Sequence, residues 1–121
     1  MSNNIKLLLS HLDLYNKNNF IYKLHENDIF STSLFFEFIL EIQKYKELDE
    51  QFKIELVRIL LYFLTTLMYH FDPDDQSSIT KLPINFHEKM SNYVDVVEFL
   101  ILKIVACENI DNDYIIDLLE E

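Results

Sequence analysis

The sequence predicts an all-α fold: one domain over residues 1–121, built as a bundle of five or six helices around a mostly buried central helix near residues 50–70. Three observations carry this expectation. Apolar residues recur at three- and four-residue spacing through most of the chain. Glycine is absent and the only prolines are Pro73 and Pro83, so the residues that close tight hairpins are missing. The one stretch rich in β-branched residues, 93–105, does not alternate, because Asp95 and Glu98 stand three apart, and it is too long for an ordinary strand. With 121 residues, 50% of them hydrophobic, the chain can bury a core without a metal or a disulfide.

The elements follow in order. Over 5–16, Ile5, Leu8, Leu12 and Tyr15 mark a first helix, and Asn16, Asn18 and Asn19 break it. A short second segment, 19–26, carries Phe20, Ile21 and Leu24. Ser31, Thr32 and Ser33 offer caps for a helix over 33–46, with Phe35, Phe38, Ile39 and Ile42 inward and Glu37, Glu41 and Lys44 as a solvated stripe. Asp49 can cap a helix over 50–70, whose apolar residues nearly encircle it and leave the polar strip Glu55, Arg58, Tyr62, Thr65 or Thr66, and Tyr69. Residues 71–83 read as a long loop, bracketed by proline and rich in Asp and Ser. A helix over 85–108 follows, with a possible break at Ser91-Asn92, and Asp111 can cap a last helix over 112–120.

Composition excludes several chemistries. Without glycine there is neither a phosphate-cradling loop nor a dinucleotide fingerprint, and no nucleophile elbow occurs. The single Cys107 rules out an internal disulfide or a multi-cysteine zinc site; in the run Ile104-Val105-Ala106-Cys107 it reads as a buried, inert thiol. His11, His25, His70 and His87 form no metal-binding pair and read as surface or boundary residues. Asp72, Asp74 and Asp75 resemble the start of a calcium loop, but Ser77 and Pro83 occupy the positions that need Gly and Glu. No cofactor, metal or catalytic residue is expected, and the chain reads as a non-enzyme. The N-terminus has no signal-peptide pattern, and the apolar run 59–69 is too short to span a membrane, so a cytoplasmic protein is expected.

Charge gives the functional signal. The formal net charge is −11. Residues 1–60 carry 7 basic and 9 acidic side chains, whereas residues 61–121 carry 3 and 12. Such a field repels nucleic acid and anionic membranes and speeds capture of basic protein surfaces. Aromatic residues among the acids suit an interface. The candidate interface therefore comprises Tyr69, Asp72, Asp74, Asp75, Glu108, Asp111, Asp113, Tyr114, Asp117, Glu120 and Glu121, with Phe71 beside them.

A short, acidic, helical chain without catalytic motifs resembles the immunity proteins of bacterial contact-dependent inhibition and other polymorphic toxin systems. The resemblance covers the whole chain and lies in size, charge and helical character. It implies a protein that blocks the active site or substrate groove of a cognate toxin, for many of these a nuclease, with Asp72–Asp75 and Glu108–Glu121 standing in for phosphates. Two other roles fit the residues. One is a helical adaptor, as in small phage or viral modulators, whose segment Leu34–Ile42 lines a groove for a partner helix. The other is an acidic mimic of DNA.

Overall fold

The first helix is stopped early by its own polar side chains. In the computed structural model, which describes residues 5–70 and 84–120, α1 spans Lys6–Leu12. Asp13 Oδ1 then accepts the Tyr15 amide at 3.0 Å, and Asn16 Oδ1 accepts the Asn18 amide at 3.0 Å. These local bonds outcompete a further helical turn. Tyr15, expected on the apolar face, is instead 91% exposed.

Buried Asn19 closes the turn. Its Oδ1 accepts the Tyr22 amide at 2.7 Å, and its amide nitrogen donates to the carbonyls of Asp13 and Ser10 at 2.6 and 3.3 Å. It thereby caps α2 (Phe20–Asn27) and fastens α2 to the end of α1. Ser31 Oγ accepts the Leu34 amide and caps α3 (Thr32–Glu41). The helix expected over 33–46 tightens after Glu41 into a 3-10 helix, Ile42–Glu47. Asp49 Oδ1 accepts the Phe52 amide at 2.9 Å, as the sequence suggested, at the start of α4 (Glu50–His70).

Helix α5 (Phe86–Val105) is unbroken at Ser91-Asn92. Ser91 faces solvent, and Phe86, Tyr93, Val96, Val97, Leu100 and Ile104 carry one buried face along the helix. It ends where Cys107 enters the left-handed region at φ 57°. The Glu108 amide bonds back to the Lys103 carbonyl and the Cys107 amide to that of Ile104, the two-bond arrangement that glycine normally closes. This turn lifts Cys107 out of the apolar run, so the thiol is exposed and not buried as expected. Asp111 Oδ1 accepts the Asp113 amide at 2.9 Å and starts α6 (Asn112–Glu120).

One apolar cluster draws on every helix. At its centre Phe20, Phe30, Phe35, Phe63, Phe86 and Tyr93 contact one another with ring centroids 5.2–5.7 Å apart, joining α2, α3, α4 and α5 through their rings. The architecture is the all-α bundle that the sequence predicts, and no strand forms among the described residues; α4 is not the mostly buried central helix expected. The apolar surface of α4 is not closed over, however. Leu56, Ile59, Leu60, Phe63 and Leu67 are buried, while Ile54, Leu61 and Met68 face outward.

Candidate partner-binding face

Glu108 and Asp111, with Asp113 and Asp117 on the helix that follows, are held by a corner fastened at several points. Where α5 turns into α6, the Tyr45 hydroxyl lies 2.6 Å from the Glu108 carbonyl and 3.2 Å from that of Lys103, with its single proton available to either. Lys46 Nζ donates to Asn109 Oδ1 at 2.9 Å, and Asn112 donates to the Leu40 carbonyl. Burial raises the Tyr45 pKa above its ordinary 10.0, and the nearby Cys107 and Glu108 add to the rise. The phenol therefore stays protonated and remains a donor at neutral pH.

Above this corner α5 and α6 pack side by side. Phe99 of α5 meets Tyr114 of α6 with centroids 4.5 Å apart. Lys103 Nζ lies 5.5 Å from the Phe99 ring centre and 3.2 Å from Glu108. Asp113, Tyr114 and Asp117 are exposed on α6, and Asp95 and Glu98 are exposed on α5. Asp95, Phe99 and Lys103 succeed one another at four-residue steps, so they form one row beside the Tyr114 ring. The result is a face of carboxylates around an aromatic pair. Lys103 is its one cation among these residues, and Glu108 already engages it. Such a face suits a cationic surface that also offers an apolar or planar group.

The structure therefore groups Glu108, Asp111, Asp113, Tyr114 and Asp117 and adds Asp95, Glu98 and Phe99, which the sequence reading missed. Only the pairing of α5 with α6 brings Phe99 against Tyr114, with Asp95 and Glu98 exposed on the same helix; the signal within the chain was the four-residue step from Asp95 to Phe99. Tyr69 stands apart. The corner adjoins the first turns of α4, where Ile104, Val105 and Cys107 share a groove with Glu50, Lys53 and Ile54. Tyr69 lies at the other end of that helix, about 28 Å along its axis. Glu120 closes α6. Asp72, Asp74, Asp75 and Glu121, with Phe71 and the loop 71–83, lie outside the described residues.

The Leu34–Ile42 segment turns its largest apolar residues inward. Phe35, Phe38, Ile39 and Ile42 are all buried in the core. A cleft of about 300 Å³ opens elsewhere, between α2 and α4, over Leu14, Ile21, Ile59 and the Tyr62 ring. Its charged residues already face partners: Arg58 contacts Glu55, His25 contacts Glu26, and His25 Nδ1 meets the Tyr62 hydroxyl.

His11 departs from the boundary position expected of it and is 2% exposed. Its ring stacks on Phe38, and its Nε2 donates to Glu37 Oε1 at 2.9 Å, while Nδ1 has no partner among the described residues. A second ring proton would be buried without an acceptor, so burial lowers the His11 pKa below 6.5 although Glu37 and Glu41 pull it upward. Among the described residues no group of three His, Cys, Asp or Glu side chains is placed to hold a metal ion. No described helix is long and apolar enough to cross a membrane. Comparison with protein-family models, curated proteins and solved structures finds no match for this chain.

Proposed function

We propose that this chain is a binding protein without catalytic activity, and that its acidic α5–α6 face captures a basic protein surface. The best-fitting role is that of an immunity protein that occupies the substrate groove of a toxin, with carboxylates where a nuclease would hold phosphates. The observation that supports it is the exposed set Asp95, Glu98, Asp113 and Asp117 around the Phe99–Tyr114 pair, with Lys103 already paired to Glu108. The tyrosine ring supplies contact area, and the carboxylates supply long-range attraction and register.

Co-expression with a toxic basic domain encoded beside it tests the role. Restored growth and a complex that weakens at least about tenfold between low and high salt are the expected results. Absence of both rescue and complex overturns it. Changing Asp113, Asp117 and Glu98 to their amides removes charge with little change of shape and is expected to slow association most.

A further inference from the structure

Helix α4 carries two apolar seams, and the core uses one. The outer seam is Ile54, Val57, Leu61, Leu64 and Met68, spaced three and four residues apart in turn, the repeat with which two helices interlock side chains. Ile54 and Leu61 are each 49% exposed and Met68 is 62% exposed, while Val57 and Leu64 lie half-buried between them. Val105 of α5, 70% exposed, extends the seam and shares its groove with Ile54 and Val57. Thr65, one turn after Leu61 at the edge of the seam, turns its hydroxyl onto the Leu61 carbonyl, 3.0 Å away.

The charge around this seam identifies its occupant. Residues 59–69 contain no charged side chain, and the charges in the first half of α4 form the pairs Lys53–Glu50 and Arg58–Glu55. In a chain of net charge −11, the charges that α4 carries are thus paired with one another. This face offers no advantage to a basic partner and imposes little local repulsion on a copy of itself. We infer that it is a self-association surface: α4 of one copy lies antiparallel on α4 of a second, with the two-fold axis midway between Leu61 and Leu64. Each Leu61 then packs on Leu64 of the second copy, and each Val57 on Met68. The antiparallel sense places each charged half opposite an uncharged one, whereas a parallel pair would set Arg58 against Arg58. The 21-residue helix is about 30 Å long, and with α5 beside it the face measures on the order of 600 Å². That is the lower end of specific interfaces.

Sedimentation velocity from about 1 to about 100 μM tests this. The intact chain is expected to pass from monomer to dimer, with no weakening as salt rises. Leu61→Glu is expected to weaken the dimer more than about tenfold with the far-ultraviolet spectrum unchanged. If Leu61→Glu disturbs the fold, Met68→Lys, at a more exposed site, replaces it with the same expected loss. A monomer throughout the range, or a dimer indifferent to a folded seam variant, overturns the inference. Because Asp117 lies on α6, outside the groove that Val105 shares with α4, Asp117→Asn is expected to leave the dimer intact.

Discussion

Asp28, Asn85 and Cys107 have φ of 54°, 61° and 57°. Glycine reaches this region without cost, but the chain has none, so each residue carries a side chain where an unsubstituted Cα fits better. Cys107→Gly is expected to raise the unfolding free energy by about 1 kcal/mol, read as a later urea midpoint. Asn19 gives the opposite case. Asn19→Ala removes a helix cap, leaves the Asp13 carbonyl without its side-chain donor and leaves the Ser10 carbonyl to Asn16 alone, an expected loss of about 1–3 kcal/mol. Asn19→Ser keeps a cap acceptor without the clasp donor and is expected to lose less, so the two variants separate cap from clasp. His11 sets a pH dependence. Its pKa is lowered in the fold from 6.5, so below that pH the unfolded chain holds the extra proton. Its contribution to stability is complete above about pH 6.5 and falls as pH drops through the window down to the folded pKa. Urea titrations at pH 7.5 and 5.5 should show a smaller drop for His11→Gln than for the unaltered chain. The asparagine cluster was readable as a helix stop because its chemistry is local. The burial of His11 was not, because it needs Glu37 and Phe38 from another helix.

At the scale of elements, the caps at Ser31, Asp49 and Asp111 were legible because each acts on an amide two or three residues ahead. The extent of α5 was legible from its spacing, apart from the suspected break, since a polar pair on the exposed side does not interrupt a helix whose buried face continues. Two things escaped a one-dimensional reading. The apolar girth of α4 suggested neighbours all round, but periodicity gives the width of an apolar face and not how much of it the neighbours reach. The clasp between the 3-10 helix and the α5–α6 corner joins residues far apart in the chain. Tyr45→Phe deletes one shared proton from that clasp and is expected to destabilise the fold by about 1–2 kcal/mol. If the clasp also sets the acidic face in place, the same variant should weaken partner binding with every carboxylate intact, measured by calorimetry at a temperature where the variant is fully folded.

Among the described residues, two faces of the molecule differ in charge and apolar surface. The α5–α6 face carries carboxylates around a paired ring, and the outer face of α4 is apolar with its ions paired. The acidic half was legible in the sequence as a count, but its shape depended on how α6 lies on α5. The two faces should answer salt differently: partner capture weakens as ionic strength rises, and contacts along α4 persist or strengthen. Cys107 stands where the two faces meet, next to Glu108 and on the rim of the groove that holds Ile54 and Val105. Because it is the chain's single cysteine and is exposed, a maleimide dye can be attached there with no engineered mutation. Its emission and anisotropy would register an arrival at either face, and a salt titration of the signal would tell one arrival from the other.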